Sequence, residues 1–411
     1  MNASEENFQN ATKRYLSWLR TKVTLVDKEV EKRDKRIAES TPFEFLRSTF
    51  YRWAQWWPEV CENLNREDVP LVLGVGDLHI ENFGTWRDVE GRLIWGVNDF
   101  DECCCLPYTN DLVRLAASAR FAMEEPETKK LLKEAKEKEL SKEEISKRLK
   151  QITENVDKRF REACSAIISG YRDVLDPKRK DVARKPFVLA EKEAHAWLRE
   201  IVLNKLRMKD GESEFDKFLK ELTELPNVNG MVPPSAWEAL NQSMPEPGVS
   251  FRIGKREAGL GSLGRQRFTA VVDDWRGGIL AREAKALAPS AWLWRTEERQ
   301  NVTEILYEEA LRHAVRACDP WMHIYLGPPG NSWVVRRLAP DSGKVKLKDL
   351  PKENQLEDDL LRAMGHETAN VHVALGDVWK DLEGRENKAP NWLYNYAAGM
   401  ADKIVEDWAT I

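Results

Sequence analysis

An α+β protein with a large helical lobe and a small β-rich lobe is predicted by two changes of hydrophobic period along the chain. Residues 8–60 and 111–225 place apolar side chains at helical spacing, residues 250–340 carry β-type runs, and residues from about 355 return to helix. Two short apolar runs, PLVLGV (70–75) and RLIWGVNDF (92–100), interrupt the first helical part and bracket the polar segment GDLHIENFG. A chain of 411 residues allows two or three packing units. The expected division is a helical lobe over 1–248, a β-rich lobe over 249–340, and C-terminal helices over 341–411 that pack back on the helical lobe.

The elements follow in order. Thr41-Pro42 before FEFLRSTFYRWAQWW is a helix cap followed by proline at the first turn. Residues 70–75 and 92–100 read as strands, with a turn at Val89-Glu90-Gly91 and the polar residues gathered at the loop and the strand end. The stretch 124–160 is dense in Glu and Lys at i,i+4 spacing, the pattern of a solvated helical hairpin. Pro, Asn and Gly over 225–248 mark a boundary. SFRIGKREAG, RQRFTAVVDD and GGILAREAKA then read as three strands, a helix is expected over roughly 297–317, and MHIYLG and SWVVRRL read as two further strands.

Bulk properties remove several function classes. A net charge of -5 lacks the basic footprint of a nucleic-acid binder. The six cysteines include three in a row (103–105) and no CxxC pair, which disfavours a disulfide framework or structural zinc. No signal-type segment or membrane-spanning apolar run is present in the sequence, so a cytoplasmic protein that binds neither membrane nor nucleic acid is expected.

Chemistry concentrates in two places. In GDLHIENFG, an Asp (Asp77) followed by an Asn (Asn82) suits phosphoryl transfer: the carboxylate orients or accepts the proton of an attacking hydroxyl, and the amide oxygen is a hard donor for a divalent metal. Asp99 and Asp101 stand at the next strand end and, two residues apart, are expected to share one face and one metal cluster. His79 is open between a metal ligand, a phosphate contact and a loop brace, and Arg47 between a brace for the acidic cluster and a substrate contact.

The second place is Gly259-Leu260-Gly261-Ser262-Leu263-Gly264. It lies between two β runs rather than before a helix, which favours a glycine loop folded over phosphates, with Gly259, Gly261, Ser262 and Gly264 as contacts. The third strand carries Arg282 and Lys285, and the following helix carries Glu304 and Glu308, the ingredients of a cation–glutamate clamp on nucleotide phosphates.

GDLHIENFG, NDFDE and NDLVRLAAS, with PFEFLR, AGLGSLG, ILAREA, ACDPW and WVVRRL, resemble the segments of a bacterial family, the domain of unknown function DUF2252, over about residues 42–380. The same residues resemble aminoglycoside phosphotransferases and related kinases, whose pattern is GDxHxxN followed by an IDF-type strand end. That resemblance implies a protein-kinase-like fold in circularly permuted order, because the glycine loop here follows the catalytic loop. It implies Asp77, with His79 beside it, as the catalytic group, Asn82, Asp99 and Asp101 as metal ligands, and Asp111 as a buried brace of the catalytic loop. The glycine loop, Arg282 or Lys285, and Glu308 would hold the nucleotide. Alignment of ILAREA puts Arg282 in the clamp position, and an arginine there departs from the pattern.

The expectation is therefore a kinase-like phosphotransferase that uses ATP and Mg²⁺ to phosphorylate a hydroxyl of a small-molecule acceptor. A nucleotide-binding pseudokinase and a metal-dependent phosphoesterase are the alternatives. The phosphoesterase is weakened by the lack of a Gly-Asn-His sequence and by only six histidines.

Overall fold

The computed structural model describes residues 3–179, 185–192, 195–206, 214–256, 264–295, 304–339, 343–347, 350, 356–373 and 378–411. It is a mixed α+β architecture in which helices predominate and the strands form small antiparallel sheets.

Four helices open the chain: α1 (Phe8–Arg20), α2 (Asp27–Ala38), α3 (Pro42–Leu46) and α4 (Phe50–Val60). Thr41 caps α3 with a reciprocal box to Glu44, as the Thr-Pro pair led one to expect. Strands β1 (Leu71–Gly74), β2 (Phe83–Arg87), β3 (Leu93–Val97) and β4 (Cys104–Pro107) follow. The two predicted strands exist, but they do not face each other: β1 pairs with β4, and β2 pairs with β3. β2 and β4 escaped the sequence reading because β2 is buried along most of its length and shows no polar alternation.

α5 (Tyr108–Lys138) and α6 (Lys142–Leu175) form the expected hairpin, with Glu139 left-handed at the turn and Ser141 capping α6. Helix does not continue through 111–225. Residues around 187–189 run beside β3, where Trp95 N donates to Phe187 O and Leu189 N to Leu93 O. α7 (Ala196–Leu206), α8 (Glu214–Thr223) and α9 (Pro234–Gln242) come next.

β5 (Arg252–Gly254), β6 (Arg267–Trp275), β7 (Gly278–Ala286), β8 (His323–Tyr325) and β9 (Trp333–Arg337) form one antiparallel sheet in the order β5-β6-β7-β9-β8. All five match predicted runs. Between β7 and β8 lie α10 (Ala291–Trp294) and α11 (Tyr307–His313), the latter shorter than expected and ended at Ala314, which is extended. α12 (Leu356–His372), α13 (Val378–Lys388) and α14 (Trp392–Trp408) close the chain.

The helical body is held by a backbone-close crossing of α6 and α12. A Cβ on Gly170 would sit 1.9 Å from Arg362 O, and one on Gly365 would sit 2.1 Å from Ile167 O. Two glycines therefore let these helices touch at the main chain. The N-terminal helices supply an aromatic core in which Tyr15, Tyr51, Trp57 and the α10 residues Trp292 and Trp294 stack edge to face or in parallel. The tryptophans at helical spacing in α4 are core residues, as their pattern indicated. Among the described residues, no helix is long and apolar enough to cross a membrane.

Candidate functional site

The chain enters the site through β1 and a tight turn. Gly76 has φ +82°, and a Cβ there would meet Glu102 O at 2.3 Å, so the residue before Asp77 must be glycine. The turn is fastened from behind by Asp111 in the first turn of α5, which accepts from Val75 N (2.6 Å) and Gly76 N (3.0 Å). His372 Nε2 lies 3.0 Å from the same carboxylate, and its Nδ1 lies 2.8 Å from the Tyr171 hydroxyl. All three side chains are buried, so α5, α6 and α12 converge on the loop through one hydrogen-bonded chain.

His79 is engaged in the loop itself. Its Nδ1 accepts from Glu81 N, and its backbone N–H donates to Asn82 Oδ1 at 2.7 Å. Burial pushes its pKa well below the histidine range, with Arg47, Arg114 and Lys344 adding to the effect. A neutral ring that closes a 3-10 turn is a brace. Asn82 O in turn accepts from Asn98 N, which ties the loop to the strand end that carries Asp99.

Asp77 is gripped by Arg114 from α5: the guanidinium donates to Asp77 Oδ1 through both Nε (2.8 Å) and Nη2, and Nη2 also donates to Leu46 O. Both bonds fall on one oxygen, so this guanidinium leaves Oδ2 unbonded. Burial raises the Asp77 pKa to about 7, with Glu102 and Asp99 adding to the rise and Arg114 opposing it. Arg114 was not singled out from the sequence. Its signal is its place three residues after Asp111, on the same face of α5.

Asp99 and Asp101 share one surrounding, as their spacing suggested. Asp101 N donates to Asp99 Oδ1, and Lys285 Nζ pairs with Asp101 and lies 3.8 Å from Asp99 Oδ2. Burial would raise the Asp99 pKa, but Lys285, Arg336 and Lys344 together hold it well below the carboxylate range.

A cavity of ≈ 210 Å³ gathers these groups. Asp77, His79, Asn82, Asp99 and Asp101 line it from the loop side, and Lys285 lines it from β7. Arg265, Arg267, Arg336 and Lys344 line it too, not singled out from the sequence because they come from remote segments, and so does Glu102, which directly follows Asp101. Glu102 joins the loops to the sheet: its Oε1 accepts from Arg265 Nη2 at 2.9 Å and its Oε2 from Ala291 N at 2.6 Å. Arg47, also on the wall, pairs with Glu81 at 2.8 Å.

Three expectations need correction or fall elsewhere. Arg282 does not line the cavity. It stands three positions before Lys285 on the strand, an odd step, so it projects from the opposite face, where its guanidinium bonds Ser243 O and lies over the Trp321 ring. Glu308 does not meet Lys285. It is half-buried on α11 and pairs with Arg312 one turn on, while Asp99 and Asp101 take the lysine instead. Gly259, Gly261 and Ser262 lie outside the described residues. Gly264, left-handed at φ +99°, packs on Val30 and accepts from Val26 N, so it docks the sheet on α2 and does not reach the cavity.

Among the described residues, no three His, Cys, Asp or Glu side chains gather into a ready-made metal site. Asp99 and Asn82 line one cavity together with the cations Arg265, Arg267, Lys285, Arg336 and Lys344.

The family model described as "Uncharacterized protein conserved in bacteria (DUF2252)" matches residues 25–411. The chain belongs to the DUF2252 family. No curated protein and no solved structure matches it.

Proposed function

We propose that this DUF2252 protein is a kinase-like phosphotransferase that moves the γ-phosphoryl of ATP to a hydroxyl of a small-molecule acceptor. The reading treats the five-stranded sheet as the nucleotide-binding lobe and the helical body as the catalytic lobe, joined in circularly permuted order. The observation that carries it is Lys285. A lysine on the third strand of an antiparallel sheet reaches Asp99 and Asp101 after a strand, in the cavity that also holds Asp77 and Asn82. Kinases place a phosphate-binding lysine on their third strand, a metal-binding aspartate after a strand, and an Asp and Asn in the catalytic loop.

In this reading Asp77 Oδ2 takes the acceptor hydroxyl, and a pKa of about 7 suits proton acceptance near neutrality. Arg114 fixes the carboxylate through Oδ1, and Asp111 fixes the turn. Lys285 and Arg265 supply positive charge for the phosphates, and Asn82 and Asp99 would hold the Mg²⁺ that neutralises and orients them.

A second reading, a nucleotide-binding protein without turnover, draws on one feature: Lys285 already sits on both carboxylates that a metal would use. Incubation with ATP labelled in the γ-phosphate, Mg²⁺ and a panel of hydroxylated small molecules separates the two. Transfer, or slow hydrolysis, that disappears in Asp77→Asn supports the enzyme. Saturable nucleotide binding with no release of label under any of these conditions supports the second reading. Hydrolysis of a generic phosphate ester without nucleotide would count against both.

A further inference from the structure

Behind the shared wall of Asp99, Arg267, Arg336 and Lys344 lies a second cavity of ≈ 360 Å³, also lined by Trp86, Arg316 and Arg337. Its described cations are Arg256, Arg267, Arg316, Arg336, Arg337 and Lys344, against the carboxylates Asp99, Glu283 and Asp319. Those carboxylates are largely committed. Glu283 is almost fully buried and pairs with Arg267, Arg256 and, at 3.8 Å, Arg336, while Asp99 faces Lys285. Asp319 accepts from Trp321 N.

Arg316 is the unusual member. Its guanidinium lies 4.5 Å from the Trp86 ring and 5.2 Å from the Phe100 ring, and Nη1 donates to Val97 O at 2.8 Å. Its Nε is buried without a hydrogen-bond partner. Trp86 is itself pinned by a bond from Nε1 to Ala317 O. A guanidinium fixed by two aromatic rings and a carbonyl, rather than by a carboxylate, keeps its charge for a ligand and pays little to order itself. Lys344 is placed with similar care. Gly343 and Thr85 bond reciprocally, and Lys344 Nζ donates to Glu81 O.

We propose that this second cavity is an anion subsite that takes a phosphate group on Arg316, with Arg336 and Lys344 facing it from the shared wall. The ligand of the combined site then carries two anionic centres, one beside Lys285 and one beside Arg316. That phosphate belongs either to the nucleotide tail or to a phosphorylated acceptor. The subsite stands on charge and packing alone and does not require turnover.

Calorimetry of the full chain with inorganic pyrophosphate, ATP, adenosine, ribose 5-phosphate and ribose tests it. The phosphate-bearing probes should bind, and adenosine and ribose should bind far more weakly. Arg316→Gln should weaken the phosphate-bearing probes at least about ten-fold, the order of one lost charge-assisted bond. Because that change could loosen the Trp86–Phe100 stack, Lys344→Gln is the second variant, and thermal melts report folding of both. Weakened ATP without ribose 5-phosphate binding assigns the phosphate to the nucleotide; weakened ribose 5-phosphate with unchanged ATP assigns it to the acceptor. Undiminished binding of every phosphate-bearing probe in both variants, or equal binding of ribose and ribose 5-phosphate, overturns the subsite. Failure of γ-phosphoryl transfer with these affinities intact would overturn the proposed reaction and leave the subsite standing.

Discussion

Lys285 Nζ lies 3.8 Å from Asp99 Oδ2 and pairs with Asp101, so one buried cation from β7 closes on two carboxylates from the loop after β3. Removing it leaves the two acidic groups with less opposing charge in a place shielded from water. Lys285→Met is expected to destabilise the fold on the order of 3 kcal/mol, the range for breaking a buried pair by deleting one partner. Urea unfolding measures this. The same variant is expected to lose ATP affinity, and retained affinity would remove Lys285 from the nucleotide site.

Arg282→Gln provides the contrast. Its guanidinium is on the other face of the sheet, held by Ser243 O and Trp321, and burial lowers its pKa to about 10. ATP binding to Arg282→Gln is expected to match that of the unmodified protein, with at most a small loss of thermal stability. An equal loss in the Arg282 and Lys285 variants would mean that strand alternation does not decide which cation serves the cavity.

The contrast also shows what the chain reveals by itself. The loop residues Asp77, His79 and Asn82 and the strand-end pair Asp99 and Asp101 were legible because each group is contiguous in sequence. The choice between Arg282 and Lys285 was legible in principle, since β-strand period separates them, but alignment to a motif favoured the wrong one. The cationic wall was not legible, because Arg265, Arg336 and Lys344 are brought to Asp99 only by the fold. The strands of the sheet could be read from their alternation and turns. The pairing of β1 with β4 could not, because β2 and β3 lie between them in the chain and no local turn pattern joins the two strands.

Asp111→Ala removes the acceptor of two backbone N–H groups and of His372. Unsatisfied buried donors cost about 1–3 kcal/mol each, so the variant is expected to be strongly destabilised. Asp111→Asn keeps an acceptor oxygen and should fold, but its amide donor faces Val75 N, Gly76 N or His372 in place of an oxygen. Hydrogen exchange at Val75 and Gly76 is the direct readout: faster exchange in Asp111→Asn is expected, and unchanged protection would mean that the turn holds without this carboxylate.

Gly170→Ala places a methyl group 1.9 Å from Arg362 O, a backbone atom that cannot swing aside. The α6–α12 crossing must open, at a cost of about 1–3 kcal/mol by analogy with overpacked cores. Because α12 carries His372 to Asp111, the displacement is expected to loosen the turn before Asp77 as well. A lower melting temperature without faster exchange at Gly76 would confine the damage to the helix pair.

In the proposed reaction, the pH dependence of turnover would report on Asp77. Its folded pKa is raised to about 7 by burial, with Glu102 and Asp99 adding to the rise and Arg114 opposing it. If the ionised carboxylate accepts the acceptor proton, kcat/KM rises with pH through about 7 and levels off above it. Arg114→Met removes the cation that lowers this pKa, so the rising limb is expected to move to higher pH, and the buried pair lost with it lowers stability. The sign for folding is opposite to that for activity. A carboxylate whose folded pKa exceeds its unfolded value binds more protons when folded, so its contribution to stability is present at low pH and is lost as pH rises through about 7. The stability difference between the unmodified protein and Asp77→Asn, measured in urea between about pH 5 and pH 8, isolates this group from the buried histidines and should fall as kcat/KM of the unmodified protein rises. A flat kcat/KM profile, or a limb that stays in place in Arg114→Met, would take Asp77 out of proton transfer.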